Sequence, residues 1–487
     1  MKVELLSEPE LEFGAGRHVD IRFGLRNYGP ITFDDPIAPH EIRLGIVGTA
    51  TTVAGVKEWL ERCRTGVSAK ASKKPNLFPP FPGFGQDSCF RCDWVSSDKL
   101  AGVINSRDLE TIIQAEPRSE GIPKLVEIFI EECRRLCEKS QVDVLICAPP
   151  QEMFAYADNE PIVAESEKSP GQEADSDTDE EEGLRTDFHD MLKAQAMALP
   201  KPIQMVRPAT YDEDAKEMTR HGLVRRVQDP ATRAWNFHTA LYYKAGGTPW
   251  RLPRSSSEYA SCFVGISFYH SRDRQHVYTS VAQVFNERGE GMILRGGEAN
   301  KSEEDRKPHL SRVDAAALLR DVLNAFHREH KHWPARVVVH KTSAFNDEEE
   351  RGCDDALTEL RISSRDLLVV AESFLRLFRE GQYPPLRGTF VSLDAQHSIL
   401  YTRGSIDFYQ MYPGMYVPRS LEITSVDVEQ PARALAQEIL SLTKMNWNNT
   451  QFDAALPITI KAARQVGAIL KYLDAKSPIQ AGYAFYM

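Results

Sequence analysis

Four residues in separate stretches have the types that hold a terminal phosphate. His189 and Lys193 stand in DFHDMLKAQAM (187–197), Gln204 in PKPIQM, and Lys244 in ALYYKAGGTPWRL. A phosphate monoester carries close to two negative charges near neutral pH, so burying one requires compensating cations and N–H donors. Two lysines supply the charge, the amide a hydrogen bond, and the histidine a polar ring. His189 and Lys193 alone, four residues apart, would describe a solvated helix face. The ordered set of four points to phosphate, and the rest of the chain decides whether it belongs to a nucleotide, a cofactor or a nucleic-acid end.

These residues need elements to position them. EIRLGIVGTA (41–50) reads as a buried strand and TTVAGVKEWLERCRTG as the helix after it. KLVEIFIEECRRLCEK and VDVLICAPP repeat that order beyond a Pro/Phe-rich insertion, 74–95. Strands alternating with helices of this length predict a parallel sheet, whose ligands sit beyond the strand C-terminal ends and near helix N-termini. His189 and Lys193 fall at one such helix start, and Gln204 in the next short strand. From about residue 247 the pattern changes to strands (SCFVGISFYH, HVYTSVAQVF, RVVVHKTSAF), an amphipathic helix (VDAAALLRDVLNAFHREH) and a last helix, PITIKAARQVGAILKYLD. That order suggests a mixed, ribonuclease-H-like sheet. The expected fold class is α/β, with a Rossmann-like parallel-sheet domain followed by a mixed-sheet domain. The expected domains are a linker over 1–40, a first domain over 41–246 and a second over 247–487.

Composition removes other classes. The 487 residues are 42% hydrophobic, and no stretch approaches the roughly 20 uncharged apolar residues of a membrane span. MKVELLSEPELEFG lacks the basic head and apolar core of a secretory signal. Eight dispersed cysteines, often in apolar surroundings, read as reduced thiols and place the chain in a cytoplasm. The net charge of −11 is unevenly placed, since ESEKSPGQEADSDTDEEE (165–182) has nine carboxylates and one lysine. Removing its −8 leaves −3, so overall acidity does not exclude a nucleic-acid partner. A run without apolar residues buries no core, and 163–184 is expected to be a disordered acidic loop.

Taken together, the residues resemble a short prokaryotic Argonaute reduced to its MID and PIWI domains. LEFGAGRHVDIRFGLRNYGPI resembles the segment leading into MID, YYKAGGTPWRLP the MID–PIWI junction, and PITIKAARQVG with the tail AGYAFYM the PIWI C-terminus. The resemblance implies that His189, Lys193, Gln204 and Lys244 bind the 5′ phosphate of a guide strand. It also implies a structural Mg²⁺ bridging the guide phosphates and a C-terminal carboxylate, here that of Met487. His189 would bond the phosphate or stack on the first base.

Slicing by this fold is two-metal hydrolysis and needs several converging carboxylates. The resemblance places the ligand positions at Ser267, Thr342 and Arg464, where a serine, a threonine and an arginine stand. The expectation is a PIWI domain without catalytic residues. Its groove would still hold a duplex, with Arg251, Arg254, Lys341, Arg403 and Arg464 as backbone contacts. The implied function is a sensor that loads a guide, expected to be RNA, and captures complementary single-stranded DNA. It would activate a separate APAZ-containing effector (sirtuin-like, TIR or nuclease) in defence, often by NAD depletion and abortive infection. A heterodimer that assembles further on activation is the expected state. The alternative is a guided nuclease using a displaced set, Glu290, Glu298 and Asp394; a third reading is a mononucleotide-binding enzyme using Gly45 and Gly48.

Other signals carry less. Cys89-x-x-Cys92 has no second metal-binding pair, and Cys133 with Cys137 reads as helix packing. Gly45-x-x-Gly48 reads more readily as a tight strand–helix turn, and Asp394 with His397 as a strand-end turn. LFPPFPGF (77–84) is a candidate partner-docking loop, because exposed aromatic patches mark contacts.

Overall fold

The computed structural model describes residues 2–158, 187–215, 227–253, 260–285, 291–303, 305–380, 384–409, 417–451, 454–474 and 477–487. Its strands are β1 (Lys2–Leu5), β2 (Leu11–Glu12), β3 (Arg17–His18), β4 (Glu41–Thr49), β5 (Asp93–Val95), β6 (Ala101–Ile104), β7 (Val144–Ala148), β8 (Ile203–Met205), β9 (Ser261–His270), β10 (Val277–Phe285), β11 (Gly291–Lys301), β12 (Pro308–His309), β13 (Arg336–Lys341), β14 (Ser364–Ser373), β15 (Thr389–Ser392), β16 (His397–Leu400) and β17 (Ser420–Val428). The helices that matter to the site are α1 (Ala50–Arg64), α2 (Arg118–Lys139), α3 (Phe188–Gln195), α4 (Pro230–Lys244), α5 (Arg312–His330), α6 (Asp347–Glu359) and α7 (Ile458–Leu470).

The first sheet runs β5-β4-β7-β8, with β6 also paired to β4, and every pairing is parallel. Its central strands are apolar on both faces because helices cover both, as parallel sheets require. Thr49 caps α1 through its hydroxyl, which accepts from Thr52 N–H at 3.3 Å. Gly45 and Gly48, expected at a tight strand–helix turn, instead lie within β4, and Gly48 sits so close to Ala148 O of the neighbouring β7 that a Cβ would lie 2.6 Å from it.

The second sheet has ten strands in the order β1-β15-β16-β17-β14-β13-β9-β10-β11-β12. Within it β11-β10-β9-β13-β14 form the ribonuclease-H-like core. β9, β10 and β11 form an antiparallel meander, and β13 and β14 return parallel to β9 through α5 and α6. Alternation divides β9 between two cores. Cys262, Val264 and Ile266 face α5 and α6, while Phe263 joins the core beneath α7. Gly265 lies directly under the Thr459 backbone, and any Cβ there would clash with the start of α7.

Two further findings depart from the sequence expectations. The segment expected as a linker supplies β1, the outer strand of the large sheet, and Glu8 and Pro9 bind the buried Lys444. The Pro/Phe-rich insertion is not a displayed aromatic surface. Phe81 and Phe84 are buried against the His238 ring, Phe90 is buried against Phe84, Trp235 and Tyr242, and Trp235 Nε1–H donates to Pro80 O at 3.1 Å. Large rings beside an apolar helix face gain more from burial than from exposure. The acidic loop expected over 163–184 lies outside the described residues. No described helix is long and apolar enough to cross a membrane.

Candidate nucleic-acid interface

Two of the four sequence-predicted residues, Lys193 and Lys244, converge on the backbone oxygen of Met487, and Gln204 joins them through Lys244. Asp187 caps α3, its Oδ1 accepting from Asp190 N–H at 3.1 Å. Lys193, on the buried face of α3, is 1% exposed. Its ammonium donates to Ile203 O at 2.6 Å and to Met487 O. Lys244 ends α4, where a cation complements the helix dipole. Its ammonium donates to Met487 O at 3.0 Å and to Gln204 Oε1. Each ammonium has three N–H donors and these contacts use two on each.

Two cations so placed are costly. Burial pushes the Lys193 ammonium down to about 7, with Cys147 and Asp190 acting weakly in the opposite direction. Burial also lowers Lys244 well below the ordinary lysine range, and the neighbouring Lys193 charge lowers it further. Like charges taken out of water favour loss of a proton. An arriving dianion reverses both effects, so the pocket is built to gain from an anion.

His189 does not join the shared oxygen. It is about one-third exposed, and its Nδ1 pairs with Asp190 Oδ1 at 2.9 Å. With Asp187 it forms the one described trio of His, Cys, Asp or Glu side chains whose ligand atoms lie within 4.8 Å of one another. Sequence reasoning passed over this trio, although Asp187-x-His189-Asp190 was its visible signal. It also passed over Gln465 of α7, whose Nε2–H donates to Tyr486 O at 2.6 Å and so fixes the tail that ends at Met487. An amide 21 residues before its partner has no distinguishing spacing.

The fold-implied Mg²⁺ can be tested against this donor set. Met487 O and Gln204 Oε1 are hard oxygen donors of the type magnesium takes. Lys193 and Lys244 already hold them, so a divalent ion fits only after phosphate oxygens have drawn the ammoniums away.

The large sheet presents the other predicted positions. Ser267 of β9 is 4% exposed, beside Ser280, whose hydroxyl donates to Ser267 O at 3.2 Å and to Ala463 O of α7 at 2.8 Å. Thr342 follows the end of β13, and Arg464 is exposed on α7. Lys341 is not a surface cation. It is 1% exposed, held by both Glu349 oxygens at 2.7 and 2.6 Å and by Ala344 O. A side chain enclosed this way offers nothing to a passing strand, because even-numbered offsets along β13 point it into the α5–α6 core. Arg251 is partly exposed and paired with Glu12 at 2.9 Å. Arg403 is half-buried. Arg254 and Glu290 lie outside the described residues.

The two described members of the displaced acidic set, Glu298 and Asp394, do not come together. Glu298 of β11 pairs with His276 at 2.6 Å, and Asp394 closes the turn after β15 by accepting from Gln396 and His397 N–H. Six strands separate β11 from β15, which at ~4.8 Å per strand is on the order of 30 Å. No pair of ions spans that distance.

A Piwi domain model matches residues 181–474, more than half of the chain. No curated protein matches by sequence. Among solved structures, Clostridium butyricum Argonaute bound to a guide DNA and a 19-mer target DNA is similar, with a TM-score of 0.64 and 14% identity, over 97% of this chain and 53% of that one. Drosophila Piwi aligns with a TM-score of 0.60 and 13% identity, over 99% of this chain and 56% of that one. Aa-Ago with externally bound siRNA aligns at 0.59 and 15%, over 99% and 55%. The chain thus spans about half the length of these relatives and shares their fold. On this fold and this domain match, the chain belongs to the Piwi-domain family.

Proposed function

We propose that this chain is a guide-binding sensor that does not cut. It loads a 5′-phosphorylated guide, RNA in this reading, and holds a complementary single-stranded DNA. The observation that carries the proposal is the pair of buried ammoniums meeting at Met487 O. Lys193 and Lys244 would transfer their N–H donors to the phosphate, with Gln204 supplying the amide. Magnesium, when bound, adds charge compensation between the guide phosphates and Met487. Arg464 and Arg251 would contact the strands' backbones.

Inactivity is supported by the residue types at Ser267, Thr342 and Arg464, and by the separation of Glu298 from Asp394. Sequence selection then comes from guide–target pairing. In this proposal the enzymatic step belongs to an APAZ-containing partner, an NAD-consuming effector in preference to a nuclease, which target binding switches on in bacterial defence against phage and plasmids. The solved relative with both strands has a DNA guide, so the test needs both guide chemistries. Protein loaded with 5′-phosphorylated RNA or DNA guide is incubated with labelled complementary DNA and Mg²⁺ or Mn²⁺. Retention of the RNA guide with intact target is expected. Cleavage opposite the guide's middle, or equal retention of unphosphorylated strands, would overturn the proposal.

A further inference from the structure

One strongly basic stretch lies outside the pocket. Residues 62–86 hold five lysines and arginines and no aspartate or glutamate, in a chain of net charge −11. Arg62 and Arg64, in the last turn of α1, pair with Glu213 and Asp93. Lys70, Lys73 and Lys74 are exposed, and none of them meets a carboxylate among the described residues. The loop that carries them is held at both feet. Val67 and Phe81 exchange two backbone hydrogen bonds at 2.9 Å. Leu77 is buried with Ile406 and Tyr409, and Asn76 Nδ2–H donates to Phe408 O at 3.0 Å. Between these anchors SAKASKKP (68–75) contains no aromatic or large aliphatic side chain. Like charges held close on an anchored loop repel one another, and an anion from outside relieves that repulsion.

The topology places this loop far from the phosphate pocket. Arg64 at the end of α1 pairs with Asp93, which lies opposite Glu41 at the start of β4. The pocket lies toward the other end of that sheet, where β7 and β8 pair through Cys147 and Met205. The nine residues of β4 separate the two by roughly 25 Å, at about 3.3 Å per residue. The loop's second anchor belongs to the large sheet, in the chain that leaves β16 at its carboxyl end. β13 runs parallel to β9 and to β14, and two antiparallel steps through β17 make β16 parallel to them. The carboxyl ends of these four strands open on one rim, where Thr342 follows β13. Ligands of parallel strands sit beyond such ends.

We infer that Lys70, Lys73 and Lys74 form a second nucleic-acid contact, which holds the sugar–phosphate backbone of the guide–target duplex well away from the guide's 5′ end. The inference rests on the proposed guide binding and extends it to a new site. Three observations choose this occupant. The loop offers charge without the apolar core of a protein interface, from which lysine is depleted. Lys70 to Lys74 spans at most about 14 Å of chain, enough for a few phosphates of one strand. The roughly 25 Å to the pocket is the rise of about seven stacked nucleotides, so a strand begun at Met487 is long enough to reach the loop. Ammoniums that meet phosphates position a strand and do not read its sequence.

The triple variant Lys70→Ala, Lys73→Ala, Lys74→Ala tests this in the full chain. Binding is measured over a salt series to a 5′-phosphorylated guide–target duplex of about 20 base pairs, to the same duplex with a 5′ hydroxyl, and to a 5′-phosphorylated oligonucleotide of about four nucleotides. Loss of three phosphate contacts should lower the slope of log affinity against log salt by about 2 to 3 for both duplexes, whatever their sequence. Affinity for the duplexes should fall at least tenfold at about 0.1 M salt, and arginine at the three positions should restore it. The short oligonucleotide, which ends before the loop, should bind as it does to the parent, with the thermal midpoint unchanged. An unchanged slope for both duplexes, or an equal loss for the short oligonucleotide, would overturn the inference. So would a loss confined to phosphatidylserine vesicles, since the loop would then serve a membrane surface. Failure of the pocket assignment looks different: the parent shows no preference for a 5′ phosphate, while the change in slope remains.

Discussion

The pocket at Met487 and the α7 side of β9 occupy comparable places in the two halves of the molecule, yet they are furnished oppositely. In the first, two ammoniums are buried at a cost that only an anion relieves. In the second, where hydrolysis would need converging acids, hydroxyls and an exposed arginine stand, and Ser280 bonds across to α7. Charge that is expensive to bury is the kind a compensating ligand would stabilise. There the strand and helix pack on one another directly, with Gly265 allowing the approach. Under the proposed function, the contrast teaches that one fold can be furnished for binding in one place without being furnished for cutting in another.

The largest effect expected from breaking this contrast is at the pocket. Lys193→Glu with Lys244→Glu should abolish phosphate-dependent guide retention, a loss of about 3 kcal/mol or more, because each removed charge-assisted bond is worth roughly 1.5–3 kcal/mol. Filter binding with 5′-phosphate and 5′-hydroxyl guides reads the loss. Next comes Gly265→Ala, whose Cβ meets the Thr459 backbone. Overpacking of this kind costs about 1–3 kcal/mol, so the denaturant midpoint should fall.

A sharper test uses Lys193→Met. Replacing a lysine whose charged form burial disfavours by an apolar side chain of similar length removes that desolvation cost. The variant should melt no lower than the parent without guide, and lose the extra stabilisation that a phosphorylated guide gives the parent. Unequal behaviour of the two states is the point of this experiment. A drop in the guide-free melting temperature would mean that Lys193 is a structural cation.

The smallest effect is the pH dependence. Lys193 is lowered to about 7 without ligand, and a bound dianion holds it protonated. Binding therefore takes up a proton above pH 7, and affinity should fall by up to about one log unit per pH unit there. Below pH 7 the phosphate's own second ionisation, near 6, makes affinity rise with pH. Calorimetry in buffers of different ionisation heat should report proton uptake at pH 8.

Much of the architecture was legible because it is periodic. EIRLGIVGTA and VDVLICAPP are continuous apolar strands, and the switch to a mixed sheet after residue 247 follows from the changed order of elements. The residues around the pocket were legible because Lys193, Gln204 and Lys244 are the right chemical types at element ends. The meeting of the two lysines at one oxygen could not be read, since Met487 lies 243 residues from Lys244 along the chain. Lys341 misled because strand parity, not residue type, decides which face a lysine takes. LFPPFPGF misled because the helix that buries it, α4, begins more than 140 residues later. The place of β1 in the large sheet had no signal at all: Lys2–Leu5 alternates like any strand, and its partner β15 is nearly 400 residues away.

The most direct measurement is the ratio of affinities of the unmodified protein for one guide sequence bearing a 5′ phosphate or a 5′ hydroxyl. Two buried ammoniums meeting at Met487 predict a preference for phosphate of about 100-fold, the equivalent of roughly 2.7 kcal/mol. A ratio within twofold of unity would contradict the assignment of this pocket to a phosphate.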